Sequence, residues 1–228
     1  MIDIKVLASG SKGNCYLIDN GETKLLLDAG IPFNQIQIGC DFRVSDISGC
    51  LVSHRHGDHA KAIKDLLKRG INVYGPKDLQ NINPQISVLK PLIKYSIGSF
   101  MIVPFELTHD VECYGYQINS IGKQKLVYIT DTAYVRYTFS KLTHVMIEAN
   151  YDTEIIRKNT LNMDISGNLA SRIIQSHMDI KTVEEFLDAN DLSKLQQVYL
   201  LHLSDSNSNA DEFKDRIQKK TGAEVYVY

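Results

Sequence analysis

The densest chemistry in this 228-residue chain is the run His54-Arg55-His56-Gly57-Asp58-His59, three imidazoles and a carboxylate within six residues. Polar groups at the end of an apolar segment cost free energy unless something satisfies them, and divalent metal ions do so. Two residues apart on an extended loop, His54 and His56 can turn both rings toward one ion, while Asp58 and His59, where a helix starts, turn toward a second. A two-ion site needs further ligands, and the sequence offers them at the ends of apolar runs. His109 follows segment 100–107, Asp131 follows Leu126-Val127-Tyr128-Ile129-Thr130, and His202 follows Val198-Tyr199-Leu200-Leu201. The same strand-then-ligand grammar occurs four times, and that repetition weighs more than any one residue.

The elements that position these groups are legible in the hydrophobic pattern. Segments 2–7, 15–19 and 23–28 are short, apolar or alternating, and separated by Gly10, Gly13 and Gly21, which predicts an opening β-meander. A short helix is expected over 31–39, and a buried strand over 47–53 that delivers the chain directly to His54. Ile63, Leu66 and Leu67 recur at helical spacing, with Lys61, Lys64, Lys68 and Arg69 on the remaining surface, so an amphipathic helix is expected over 60–69. Its basic stripe reads as a solvated face. Further strands are expected at 72–74, 86–89, 99–107, 114–120 and 124–129, then helices at 163–175 and 181–189, a strand at 197–201, a helix at 209–220 and a last strand at 223–228. Strands followed by helices, once in each half, predict an α/β fold of two facing sheets with helices outside, a four-layer αββα sandwich. No Pro-, Ser- or Gly-rich linker divides the chain, so a single domain over 1–228 is expected.

Composition bounds the function. With 43% hydrophobic and 23% charged residues the chain is globular, and a net charge of -2 argues against a protein that grips long nucleic acid through many phosphates. Cys15, Cys40, Cys50 and Cys113 form no CxxC pair, so free thiols are expected. The start Met1-Ile2-Asp3-Ile4-Lys5 lacks the basic and apolar regions of a signal peptide, and no run approaches the ~18 apolar residues of a membrane span, so a cytoplasmic protein with no membrane partner is expected.

His54-x-His56-x-Asp58-His59, then His109, Asp131 and His202, with Asp28 in Leu-Leu-Leu-Asp-Ala-Gly before them, resembles in order the motif pattern of the metallo-β-lactamase superfamily. Segment 6–14, Val-Leu-Ala-Ser-Gly-Ser-Lys-Gly-Asn, together with Ile129-Thr130-Asp131-Thr132, is similar to its WalJ/YycJ-like subgroup, and the chain also resembles the phage anti-Pycsar cyclic-nucleotide phosphodiesterases and ribonuclease Z-like nucleases. The resemblance implies that His54, His56 and His109 hold one metal ion, that Asp58, His59 and His202 hold the second, and that Asp131 bridges both. It implies for Asp28 the orienting of a loop or ligand, and for the ions Zn²⁺ or Mn²⁺, two per chain. It also makes a homodimer the expected assembly. An aspartate at 131, where many true β-lactamases carry cysteine, disfavours antibiotic hydrolysis. Two such cations about 3.5–4 Å apart can share a hydroxide near neutral pH and neutralise charge on a phosphoryl group under in-line attack. Water is then the nucleophile, and no GxSxG signature suggests a serine in its place.

Other residues stand near this pattern. His177, between two expected helices, is a candidate general acid, and with Asp58 it makes the candidate catalytic pair; a capping or surface role is the alternative. The subgroup has a Gly-His-Leu-Ser stretch near this place, from which Ser176 and Met178-Asp179 depart. His144, ahead of an apolar strand ending at Glu148, reads as structural. In the segment 148–152 a tyrosine, Tyr151, replaces the histidine of the subgroup, and Asp152 is a weak ligand candidate. Tyr114 and Tyr116 are candidates for stacking on a base, with a place in the core or on the sheet surface as the alternative, and Arg136 for contacting a substrate phosphate, with an ordinary surface cation as the alternative.

The function this predicts is hydrolysis of nucleotide phosphodiester bonds, with small or cyclic nucleotides favoured by the compact, slightly acidic chain. A DNA or RNA exonuclease is the alternative from the subgroup resemblance. A thioester hydrolase and a non-catalytic binding protein are weaker readings, the last opposed by the intact ligand set.

Overall fold

The computed structural model describes residues 2–228, which form two compact units: 2–106 with 111–124, and 107–110 with 125–228.

The N-terminal unit opens with the predicted meander. Strands β1 (Asp3–Ala8), β2 (Cys15–Asp19) and β3 (Lys24–Leu27) pair antiparallel in turn, with Asp3 opposite Asp19 and Tyr16 opposite Leu27. Helix α1 (Phe33–Gly39) leads to β4 (Ile47–Leu51), which pairs parallel to β3, and β5 (Val73–Gly75) and β6 (Ser87–Val88) extend the same sheet in parallel. The core between this sheet and its helices is built from Leu26, Ile36, Val52, Ile63, Leu66 and Leu79, none more than marginally exposed. The short β7 (Tyr95–Ile97), which the sequence pattern did not announce, pairs antiparallel with β8 (Phe100–Leu107) across a two-residue turn at Gly98, and β9 (Cys113–Ser120) follows.

The expected helix over 60–69 is two short helices, α2 (Gly57–Ala60) and α3 (Ile63–Lys68). A continuous helix would bond the Ala62 N–H to the Asp58 carbonyl. Here that carbonyl accepts from Asn14 N at 2.7 Å, and Ala62 N donates instead to Ala29 O at 2.8 Å. Tertiary hydrogen bonds thus replace one helical bond and lock three segments together. Gly30 is required at this junction, because a Cβ there would lie 1.6 Å from the Asp58 carbonyl oxygen.

The C-terminal unit is a parallel sheet of β10 (Lys125–Ile129), β11 (His144–Glu148), β12 (Gln197–Leu201) and β13 (Glu224–Val227), with Leu126 beside His144 and Glu148 beside Leu201. Its inner strands are buried along almost every residue, which explains why they read as continuous apolar runs and not as alternating ones. Four helices accompany it: α4 (Thr153–Leu161), α5 (Gly167–Ser176), α6 (Ile180–Asp188) and α7 (Ala210–Thr221). The helix expected over 163–175 starts later, because Ser166 caps it through Leu169 N, and α4 is a separate helix capped by Asp152. All four cysteines are free and buried. No helix of the described residues is long and apolar enough to cross a membrane.

Candidate metal centre

In the N-terminal unit, β3 ends one residue before Asp28 and β4 ends three residues before His54, so the parallel pairing of the two strands places both at one edge of the sheet. Asp28 is fully buried and accepts hydrogen bonds from Ser53 N at 2.7 Å, from Ser53 Oγ at 3.0 Å and from His59 Nδ1 at 2.7 Å. Since Nδ1 of His59 donates to Asp28, its Nε2 carries the lone pair, and it accepts accordingly from the Asn14 side-chain amide at 3.0 Å. The same Nε2 lies 3.4 Å from Asp58 Oδ2, so two electron-rich atoms face each other. Nε2 of His54 and Nδ1 of His56 converge to 3.1 Å, and the His54 and His59 rings sit 4.2 Å apart. Arg55, between them, donates instead to Asp78 Oδ2 at 3.1 Å. Three crowded imidazoles and a carboxylate are a nitrogen and oxygen donor set suited to a divalent metal ion.

The C-terminal unit holds a second set. His202 follows β12, and its Nδ1 lies 3.2 Å from Glu148 Oε1 at the end of β11, while its Nε2 faces Asp131 Oδ1 at 3.9 Å. Ligand atoms of Asp131, Glu148, His177 and His202 all fall within 4.8 Å of one another. His109 sits on the turn after β8 with its imidazole 4% exposed and Nε2 3.1 Å from Asp110. Thr132 ties this turn to the one after Asp131, through hydrogen bonds with Thr108 N at 3.2 Å and Thr108 O at 3.0 Å.

His177 caps the C-terminal end of α5, with Nδ1 2.5 Å from Glu148 Oε1 and its ring stacked 5.2 Å from that of His202. Burial pushes the His177 imidazole down, but the charge and hydrogen bond of Glu148 outweigh it and leave the group above its ordinary value. Glu148 shows the converse: burial pushes it up, and His177 and His202 pull it below the usual carboxylate range. In the sequence Glu148 is a strand end and the first residue of the subgroup-like segment 148–152, with no role of its own. The available signal was a charged residue closing a fully apolar strand, the same grammar that marked Asp131 and His202.

Three of these residues adopt left-handed backbone, Asp28 at φ 56°, Asp131 at φ 46° and His202 at φ 57°. Such conformations cost a non-glycine residue about 1–3 kcal/mol and persist where the surroundings over-determine them, as at functional sites. Here each lets the chain turn immediately past a strand end while the side chain stays at the sheet edge.

Burial decides between the alternatives left open for the remaining candidates. Tyr116 is fully buried and donates its hydroxyl to Val52 O at 2.6 Å, and the 4%-exposed Tyr114 donates to Glu112 at 2.7 Å, so neither presents a face for stacking. Asp152 caps α4 through Glu154 N at 2.7 Å and pairs with Arg216 at 3.2 Å, a structural role. His144 is structural as expected: 1% exposed, 2.8 Å from Thr143 Oγ1, and pushed down to about 4 by burial. Arg136 is exposed, its guanidinium 5.3 Å from the centre of the Tyr137 ring.

Comparison with known proteins agrees with this geometry. Residues 8–81 match the family model of the metallo-beta-lactamase superfamily. Exodeoxyribonuclease YycJ of Bacillus anthracis is 26% identical over 224 residues, covering 91% of this chain and 84% of the relative. Exodeoxyribonuclease WalJ of Streptococcus pneumoniae is 24% identical over 222 residues, 89% of this chain and 82% of the relative. The crystal structure of the metallo-beta-lactamase fold protein YhfI from Bacillus subtilis matches with a TM-score of 0.77 at 18% identity, covering 100% of this chain and 96% of that one. Motif, fold and relatives thus agree: residues 8–81 match the metallo-beta-lactamase superfamily, the chain shares the fold of a protein of that type, and the relatives it aligns with are exodeoxyribonucleases.

Proposed function

We propose that this protein cleaves nucleotide phosphodiester bonds, using two divalent ions, Zn²⁺ or Mn²⁺, held by His54, His56, Asp58, His59, His109, Asp131 and His202. The observation that carries the proposal is one device present in each unit: a buried carboxylate beside the Nδ1 of an imidazole, Asp28 at 2.7 Å from His59 and Glu148 at 3.2 Å from His202, where the Asn150 amide also lies 3.1 Å from the same Nδ1. Such carboxylate–histidine pairs set the tautomer and ring orientation of metal ligands and raise their basicity. When bound, a pair of divalent ions supplies a nucleophile from water and neutralises charge on a phosphoryl group.

The chain's own groups do the rest. Asp28, with Ser53, holds the His59 ring still, and Glu148 does the same for His202. His177, hydrogen-bonded to Glu148, is positioned as a general acid for the leaving oxygen. An aspartate at 131 keeps the donor set to nitrogen and oxygen, which suits phosphodiesters better than β-lactams.

Small or cyclic nucleotides are the first substrate class, supported by the net charge of -2. The resemblance to phage anti-Pycsar enzymes would make removal of a signalling nucleotide its role in the cytoplasm. A homodimer completes this reading. DNA-end degradation is the second reading, favoured by the two exodeoxyribonuclease relatives that align with most of the chain. Incubating the Zn²⁺- and Mn²⁺-loaded protein with 3′,5′-cyclic nucleotides and with end-labelled DNA separates them. Turnover of cyclic nucleotides with intact DNA supports the first, processive DNA loss alone supports the second, and inertness toward every phosphodiester overturns both.

A further inference from the structure

We infer that the loop following Asp131 carries a nucleobase pocket. The inference rests on the nucleotide phosphodiesterase reading, since a base pocket beside Asp131 serves a substrate whose cleaved bond belongs to a nucleotide. Residues 132–142 contain no helix or strand, yet the loop is fixed at both ends. At its start Thr132 N donates to Glu148 Oε2 at 3.1 Å, and Thr132 Oγ1 to Thr108 O at 3.0 Å. At its end Phe139 N donates to Asn190 Oδ1 at 2.5 Å, and Lys141 N to Asp191 Oδ2 at 3.2 Å. A loop anchored this way on a rigid scaffold is a usual carrier of binding residues, and it loses little freedom when a ligand arrives.

Between this loop and α6 lies a cavity of about 250 Å³. Val135 and Phe186 line it as buried apolar surface, at 8% and 6% exposure, while Tyr134 at its edge is 61% exposed. The Arg136 guanidinium lies over the Tyr137 ring, so two flat faces of opposite electrostatic character meet beside the cavity, and the exposed Glu185 adds a hydrogen-bond acceptor. Pockets for drug-sized molecules run from about 300 to 1,000 Å³, so this one accepts a single ring system, not a whole nucleotide or a stretch of polymer. Flat aromatic and guanidinium surfaces are what unstacked bases pack against. The distance also fits: Tyr134 is three residues beyond Asp131, so their Cα atoms are at most about 11 Å apart. A nucleotide whose phosphoryl group lies at Asp131 would have its base within reach of Tyr134.

Two measurements test this. Saturation-transfer NMR of metal-free protein with adenosine or guanosine should show base-proton signals that disappear in Tyr134→Ala, a substitution at an exposed position. In the metal-loaded enzyme, Tyr134→Ala should lower the preference in kcat/KM for a nucleoside 3′,5′-cyclic phosphate over the base-free ribose 3′,5′-cyclic phosphate by about 5- to 150-fold, the range that one base–aromatic stack gives on alanine substitution. Absent base signals with the wild type, or signals and preference unchanged in Tyr134→Ala, overturn the pocket. Nucleoside binding at Tyr134 without any phosphodiester turnover keeps the pocket and overturns the function, whereas turnover with a Tyr134-independent preference does the reverse.

Discussion

The two units assemble their histidines in different ways. In the N-terminal unit four donors, His54, His56, Asp58 and His59, come from one turn of chain, and the supporting carboxylate, Asp28, serves a single imidazole with the help of Ser53. In the C-terminal unit each group arrives alone at the end of a different element: Asp131 after β10, Glu148 on β11, His177 after α5 and His202 after β12. One carboxylate there, Glu148, contacts two imidazoles. Local sequence therefore builds the first set and sheet register builds the second. Damage to a shared carboxylate should spread further than damage to a dedicated one.

The largest effect should come from removing one donor on either side. His56→Ala and Asp131→Ala are each expected to abolish hydrolysis and metal loading together, read by metal analysis beside turnover; retention of both ions in either variant would break the symmetry between the sets. Next comes His177→Ala, expected to lower kcat by about 10²- to 10⁴-fold, the usual range for a general acid, while metal content stays near normal. Unchanged turnover would remove His177 from the mechanism and leave it a cap on α5.

The supporting carboxylates sharpen the comparison directly. Loss of such a partner typically costs about 10- to 100-fold in metal affinity or activity. Glu148→Gln should fall at the upper end, because it loosens His177 and His202 at once, and Asp28→Asn at the lower end, because Ser53 still donates to it. Equal losses would show that sharing makes no difference. Ser53→Ala should cost only severalfold in metal affinity, about 0.5–1.5 kcal/mol for a net hydrogen bond.

His144, which belongs to neither set, should leave activity untouched and act only on stability. Its folded-state value of about 4 lies below its ordinary one, so the unfolded chain binds the extra proton. Stability from this group is therefore intact at neutral pH and declines as pH falls from about 6.5 toward 4, by about 1.4 kcal/mol per unit at most. Denaturant titrations across that window should show a flatter acid dependence for His144→Gln than for the wild type.

How much was readable in advance follows from the same contrast. The run 54–59 was legible because its donors are adjacent and need no tertiary argument. Asp131 and His202 were legible because a fully buried parallel strand is an uninterrupted apolar run, and the polar residue ending it stands out. Glu148 carries the same mark but belongs to no ligand motif, so its role emerged only from its contacts with His177 and His202. Tyr114 and Tyr116 stayed open between a stacking and a core role because aromatic residues in a strand give no sign of which face is buried. The break between α2 and α3 was invisible for a related reason: helical spacing continues through it, and only the hydrogen bonds of Asn14 and Ala29 interrupt the helix.

By itself, the sequence determined the donor chemistry, the order of the strands that end in donors, and a fold class that can place those ends together, because these depend on residue type and on local periodicity. Only the tertiary structure decided which nitrogen of His59 carries the proton, which carboxylate lies against which ring, and that Asp28, Asp131 and His202 turn through left-handed backbone. Those features depend on partners tens of residues apart, such as Asp28 with His59 and Glu148 with His202, and sequence spacing alone does not reveal such contacts.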